Sequence, residues 1–423
     1  MEMSRKKLYV HFEAQSVGLL EEDDNGLLLF SYAQEWLENK DAFPLSLAMS
    51  LQDKAYQGKI VTSFFENLIP EGEQRRQLER IAGLPESNDL AFLERFGNDC
   101  AGALSISSQA NDAKIKRQIQ ELPISFEAIE KAIENGQPVQ AAFDHDGELP
   151  PFSLAGAQAK FPCCIDNSRI TIPVGKPTTY IIKLPIRSGD KLLDSVENEY
   201  LSMRLAEKCG LPVPRVMILG KRIPLFAIER FDRIAGDHGI RRIHTQDLCQ
   251  ALGRPSKEKY EKHGGPSFSD CYNLIRDHSS TAAKDLLALL DWVGFNLALG
   301  NNDSHAKNIS LIHTMQGTIL APFYDLISTA LYPQYNSQFA FRIAEVSSWD
   351  KITSERVNAF AKKTGLRGDF VSNRWRQVFE KLRIGINDMA EEASERDALA
   401  KTFRKISKEC KKRIQHLDRS LMK

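Results

Sequence analysis

Asn302-Asp303-Ser304-His305-Ala306-Lys307-Asn308, followed by residues 309 to 323 and then Tyr324-Asp325, is the stretch on which the reading of this chain turns. Ile309-Ser-Leu-Ile-His313 and Thr318-Ile-Leu-Ala-Pro-Phe-Tyr324 flank a turn containing Gly317, so they read as a short hairpin that carries Asp325 back toward Asn308. Magnesium takes few protein ligands and completes its octahedron with water and phosphate oxygens, which suits one Asn amide and one Asp carboxylate. Asn308 and Asp325 are therefore the candidate metal ligands.

Transfer of a phosphoryl group asks little covalent help of a protein. It needs a cradle for phosphates, metal held by oxygen ligands, and a carboxylate that orients the attacking hydroxyl. Asp303 and Asn308 are five residues apart, the offset of the Asp and Asn in the catalytic loop of protein kinases. A long apolar helix from Ala282 to Leu299 precedes them and can anchor the loop. Asp303 is the candidate base, and His305, grouped with it, is read as a brace of the loop by hydrogen bonding. The bland alternative is that Asp, Asn and His serve here as turn-formers and caps.

Two more segments bear on the choice. Lys183 lies inside the apolar strand Tyr180-Ile-Ile-Lys-Leu184, where a cation is costly without an anionic partner such as a nucleotide phosphate; the alternative is an edge-strand lysine reaching water. Glu199 on the next predicted helix, 195–209, could pair with it, and Glu197 competes for that role. Ser153-Leu-Ala-Gly-Ala-Gln-Ala-Lys160 is a small-residue loop whose backbone N–H groups could approach phosphate oxygens, although it is neither a Walker A sequence nor the kinase glycine-rich loop.

Composition sets outer bounds. With 423 residues the chain exceeds one ordinary core, so at least two lobes are expected. Lys+Arg and Asp+Glu balance at 56 each, which argues against a polyion or an overall basic coat for nucleic acid. The seven cysteines are scattered without a C-x-x-C pair, so neither a disulfide framework nor a zinc site is indicated and a reducing cytoplasm is expected. The N-terminus lacks an apolar signal core, and 286–299 is too short and interrupted by Asp291 to span a bilayer, so no membrane association is expected.

Along the chain, Lys7 to Phe12 and Leu27 to Tyr32 read as strands with Asp24-Asn25-Gly26 as the turn between. Helices are predicted over 73–82 and 89–96. The polar stretch 107–120 marks a boundary, a β-rich region follows over 153–233, and helices dominate beyond about 244, at 246–252, 282–299, 354–364, 372–392 and 401–422. The expected organisation is an N-terminal α/β subdomain over 1–108, a nucleotide-binding lobe over 120–245 and an α-helical catalytic lobe over 246–423.

Seven segments, Ser153 to Lys160, Tyr180-Ile-Ile-Lys-Leu-Pro185, Glu197-Asn-Glu-Tyr200, Glu229-Arg-Phe-Asp-Arg233, Gly264-Gly-Pro266, Asn302 to Asn308 and Pro322-Phe-Tyr-Asp325, occur in an order that resembles the HipA family of serine/threonine kinases, the toxins of bacterial toxin–antitoxin pairs. Arg95-Phe-Gly-Asn-Asp-Cys-Ala-Gly-Ala103 is similar to the family's N-terminal signature. The resemblance implies an α+β, bilobal, kinase-like fold with an extra N-terminal subdomain, and ATP with Mg2+ as cofactors. It implies that Lys183 contacts nucleotide phosphates, that Glu229 and Phe231 border the adenine, and that Ser153, Gly156, Ala157, Gln158 and Lys160 belong to a mobile phosphate loop. Asp303 is then the base, with Asn308 and Asp325 holding the metal. Ser153 matches the serine whose autophosphorylation ejects that loop and silences the kinase. The implied partners are a helix-turn-helix antitoxin of the HipB type, through which alone DNA is met, and a protein substrate, an aminoacyl-tRNA synthetase in the best-known case.

The sequence departs from ordinary protein kinases at two places: Asn302 stands where an Arg precedes the base, and Leu-Ile follows Asp325 instead of Phe-Gly, so control by a flip of that segment is not expected. Two rivals stay open at this point, a small-molecule kinase of related fold and a catalytically weak corepressor acting with a DNA-binding antitoxin. The terminal helix repeats Phe403, Ile406, Cys410, Ile414, Leu417 and Leu421 at three- and four-residue steps, with Lys405, Lys408, Lys412 and Arg419 between, and reads as a core-packing helix with a solvated basic face; the alternative is a basic face that touches DNA when an antitoxin docks.

Overall fold

A computed structural model describes residues 6–110, 120–143, 154–166, 169–189, 191–236, 239–334 and 337–422. Two compact units share the chain, one formed by Met1–Leu184, Leu219–Ser256 and Ile312–Met315, the other by Pro185–Ile218, Lys257–Leu311 and Gln316–Lys423. The α+β class is the one found: the first unit is rich in sheet, the second in helix.

The first unit opens with antiparallel strands in the order Tyr56–Gln57, Leu28–Tyr32, Gln15–Glu22, Lys7–Phe12, Leu104–Ser107. Leu8 and Val10, and Leu28 and Phe30, alternate along their strands, and with Val17, which sits at a register shift, and Leu20 beyond it, they turn into a core shared with Phe64, Phe65, Phe92 and Phe96 from the helices Lys59–Glu66 and Asp89–Phe96. Asn88 starts the latter helix by accepting the Ala91 N–H at 2.8 Å. The strand Gln15–Glu22 is absent from the sequence reading, and the Asn25-Gly26 turn joins it, rather than Lys7–Phe12, to Leu28–Tyr32. Gly18 in that strand breaks the apolar alternation, and it must be small, since a Cβ there would lie 2.3 Å from the Ser31 carbonyl.

A second antiparallel run in this unit has the order Leu225–Glu229, Tyr180–Lys183, Lys160–Asp166, Arg169–Val174, Gln120–Ile124. It sets Lys160 opposite Lys183, and Lys183 opposite Phe226.

In the helical unit, the helix Ala282–Leu299 packs on Gly368–Asp388 and Asp397–Leu421. Asp291, which interrupts its apolar face, is held by a two-pronged bond from Arg374 at 2.6 and 2.7 Å, and the buried Trp375 indole donates to the Leu290 carbonyl at 3.0 Å. The apolar stripe predicted for the last helix is buried throughout, from Phe403 to Leu421. Lys405, Lys408, Lys412 and Arg419 are exposed. Lys405 is engaged within the unit, with its ammonium 2.6 Å from Asp194.

Two helical expectations change. The helix predicted over 246–252 is a single turn, Leu248–Ala251, because Thr245–Asp247 is a strand. A helix not predicted, Phe268–His278, starts on a reciprocal cap between Ser267 and Asp270 and buries Phe268, Cys271, Tyr272 and Ile275. Among the described residues no helix is long and apolar enough to cross a membrane.

Candidate active site

The loop that carries Asp303 inherits its rigidity from the helix before it. Ala282–Leu299 ends on Gly300, whose φ of +81° suits a residue without Cβ and whose N–H bonds back to the Asn296 carbonyl. From there amides relay the anchoring. The Asn296 side chain donates to the Trp292 carbonyl at 2.8 Å, Asn301 donates to the Asn296 side-chain oxygen at 2.9 Å, and the Asn301 side-chain oxygen accepts the Asp303 N–H at 3.1 Å. Asn302 N–H is fixed by the Thr329 hydroxyl at 2.8 Å.

Beyond Asp303 the chain folds tightly onto itself. The Asp303 carbonyl accepts from His305 N at 3.0 Å and from the Asn308 side-chain amide at 3.0 Å, while the His305 carbonyl accepts from Asn308 N at 2.9 Å. The amide nitrogen of Asn308 is thereby turned onto the backbone, which leaves the oxygen as the end of the kind a hard cation such as magnesium would take. Asn302, Ser304, His305, Lys307 and Asn308 are all buried, and Asp303 is half-buried. His305 braces the loop through its backbone, and its ring meets that of Tyr260 edge-on at 5.1 Å.

The hairpin Ser310–Thr314 and Gly317–Leu320 is shorter than predicted, and Ala321 N closes it on the Ser310 carbonyl at 2.9 Å. The return is made by Tyr324, whose hydroxyl donates to the Lys307 carbonyl at 2.6 Å and lies 2.7 Å from the Ser310 hydroxyl. Asp325 is thus attached, one residue on, to the segment holding Asn308. It has φ +59°, a left-handed conformation that Asp tolerates better than most residues, and it is half-buried.

Apart from Glu197 and Glu199, which belong to the helical unit, the other candidate residues lie in the sheet-rich unit. Lys183 is 7% exposed on an internal strand, so the edge-lysine reading is wrong; its ammonium lies 5.8 Å from the centroid of the Phe226 ring. Gln158 ties the small-residue loop to the end of that strand by donating to the Leu184 carbonyl at 2.8 Å, and Leu184 N donates to the Ala159 carbonyl at 2.9 Å. Gly156 has φ +106°, and a Cβ there would come within 2.6 Å of the Lys160 ammonium, so the loop keeps a cation close over its backbone. Ala157 is exposed, as a residue meeting a ligand can be. These features fit an anionic phosphate group. Ser153 lies outside the described residues. Glu229 and Phe231 are half-buried, at and just beyond the end of Leu225–Glu229. Glu197 and Glu199 are both buried on the helix Ser195–Lys208, and burial raises the Glu197 pKa.

Sequence reasoning missed what lies behind Glu229 and Phe231. The residues between and after them, Arg230, Asp232 and Arg233, are buried and join Asp99 in one network. Arg230 bonds Asp232 through two nitrogens at 3.0 and 2.8 Å, Arg233 reaches Asp99 at 2.7 Å, and the Thr178 hydroxyl donates to Asp99 at 2.5 Å. Arg242 adds a third cation 3.3 Å from Asp99. Three cations face two carboxylates, and backbone carbonyls take up the excess: Cys100 accepts from Arg230, Gly102 from Arg233, and Asn98 and Leu104 from Arg242. Burial opposes charge on Asp99, but the three arginines overcome it and hold its carboxyl well below the usual range. The signal was present in Arg95 to Ala103 and Glu229 to Arg233, two charged motifs in otherwise apolar surroundings; that they meet is a property of the fold.

Comparison with known proteins places the chain. Residues 8–107 match the HipA N-terminal domain, and residues 152–390 match the HipA-like C-terminal domain. Y4mE of Sinorhizobium fredii is 33% identical over 401 residues, covering 93% of this chain and 94% of its own. The serine/threonine-protein kinase toxin HipA of Shewanella oneidensis is 30% identical over 359 residues, 81% of this chain and 79% of its own. In a solved complex of Shewanella oneidensis MR-1 HipA, HipB and operator DNA, one chain matches with a TM-score of 0.82 at 25% identity, over 98% of this chain and 99% of that one. With both domain matches in order and relatives of this similarity along nearly its whole length, the chain belongs to the HipA family of kinase toxins.

Proposed function

We propose that this protein is an ATP- and Mg2+-dependent serine/threonine protein kinase, that it acts as a toxin in the cytoplasm, and that phosphorylation of its own Ser153 silences it. The observation that carries the reading is the buried loop in which Asp303 and Asn308 are locked five residues apart, with Tyr324 fastening the Asp325 segment to it. Asn308 and Asp325 would hold the metal, which when bound offsets charge on the phosphates. Asp303 orients the acceptor hydroxyl and takes its proton as the oxygen bonds to the γ-phosphorus and the bond to the β-phosphate oxygen breaks, releasing ADP. Lys183 and the loop from Gly156 to Lys160 hold the phosphates, and Glu229 and Phe231 border the base.

The protein target is read as an aminoacyl-tRNA synthetase and the partner as a helix-turn-helix antitoxin, with DNA reached through that partner; the Shewanella HipA solved with HipB and operator DNA supports the latter. A phosphoserine at 153 would add close to two negative charges to a loop whose cargo is itself anionic, reason enough for ejection. The test is incubation with labelled ATP and Mg2+ followed by mass spectrometry. Phosphate is expected on the peptide spanning residues 153–160, and neither chelation of the metal nor Asp325→Asn should leave any labelling. Label confined to a small molecule, or equal labelling by Asp325→Asn, would overturn the reading.

A further inference from the structure

The Tyr260 hydroxyl donates to Oδ1 of Asp303 at 2.5 Å. Tyr260 belongs to none of the groups discussed above, yet the chain around it is built to hold that hydroxyl in place. Its ring stands at 86° to His305, itself buried in the Asp303 loop. The ammonium groups of Lys259 and Lys262 lie 5.7 and 5.8 Å from the ring centroid. Its carbonyl accepts both the His263 N–H at 2.9 Å and the Gly265 N–H at 3.0 Å, closing a turn directly behind it. Glu261 fastens that turn elsewhere, donating its N–H to the Ala340 carbonyl and accepting the Arg342 N–H at 2.7 Å.

This turn explains the Gly264-Gly265-Pro266 segment, which the catalytic reading leaves idle. A Cβ on Gly265 would sit 2.0 Å from the Glu258 carbonyl and 2.8 Å from the Tyr260 carbonyl, so only glycine lets the chain close there. A carboxylate with one oxygen engaged by a fixed donor has lost its freedom to rotate, and its second oxygen is presented in one direction.

We infer that Tyr260 is a positioning residue for Asp303, held by the Gly264-Gly265 turn and acting by fixing one carboxylate oxygen and with it the orientation of the whole carboxylate. The inference rests on Asp303 being the base. Tyr260→Phe removes only the hydroxyl and is expected to lower kcat about tenfold, the effect of one hydrogen bond to a charged group, with KM for ATP unchanged. Gly265→Ala, which dislodges the turn while keeping Tyr260, should give a similar kcat loss.

The deciding measurement is a double-mutant cycle on phosphoryl transfer. Tyr260→Phe introduced into Asp303→Asn should cost nothing further, because the group it positions is already gone. A merely structural tyrosine would lower both backgrounds by the same factor, and that result overturns the inference. So would an unchanged kcat in Tyr260→Phe, or a raised one, which would make the phenol a plug. If instead Asp303→Asn alone retains full activity, it is the assignment of the base that fails.

Discussion

Asp303→Asn is expected to lower phosphoryl transfer by about 10²–10⁴-fold, the usual contribution of a positioned general base, while the protein keeps its fold. The substitution is isosteric, and the contacts that hold the loop survive it: the Asp303 N–H stays on the Asn301 side chain, and its carbonyl stays with His305 and Asn308. An amide oxygen can still accept the Tyr260 hydroxyl, but it cannot take a proton from an attacking alcohol at neutral pH. ATP affinity should therefore change little and kcat should fall, a pattern that distinguishes this position from the metal and phosphate ligands. Steady-state kinetics with a thermal midpoint as control checks it. A kcat within threefold of wild type would show that phosphoryl transfer does not use this carboxylate.

The same residues show how far the sequence could be read. The Asp303 loop is local: a helix ended by glycine, an Asp and an Asn at fixed offset, and a short hairpin all leave marks within some thirty residues, and the observed elements stand close to the predicted ones. The family was legible because the order of many weak motifs is far more specific than any one of them. What escaped depends on partners distant in sequence. Tyr260 lies 43 residues from Asp303, and Asp99 lies 131 from Arg230, and no periodicity links either pair. Lys183 was ambiguous for the same reason, since whether its strand lies inside a sheet or at its edge is decided by strands elsewhere. The helix Phe268–His278 is a different lapse. Its cap, Ser267 with Asp270, and its apolar spacing of 268, 271, 272 and 275 were both present in the sequence.

Asp99→Ala is expected to cost about 3–5 kcal/mol of stability at pH 7, the penalty for removing one partner from a buried ionic network. Arg230 and Arg233 are 3% and 8% exposed, so their charges cannot turn to water when the carboxylate goes. An exposed pair such as Arg367 with Asp369 makes the contrast, because solvent replaces a lost partner there and the effect should be scarcely measurable. The sign of the pH dependence follows from the direction of the shifts. Asp99 and Asp232 both have folded-state pKa values below the ordinary carboxylate value of about 3.9. Their contribution is therefore complete above the unfolded value and is lost as pH falls from there toward the folded one. The wild type should lose stability in acid faster than Asp99→Ala, and the gap between the two, measured by urea unfolding at pH 7, 4 and 3, should narrow with each step. A gap below 1 kcal/mol at pH 7, or one that does not change with pH, would mean that the network adds no net stability. Because Glu229 and Phe231 alternate with the residues it holds, the variant should also bind ATP more weakly in proportion to the disorder it introduces there.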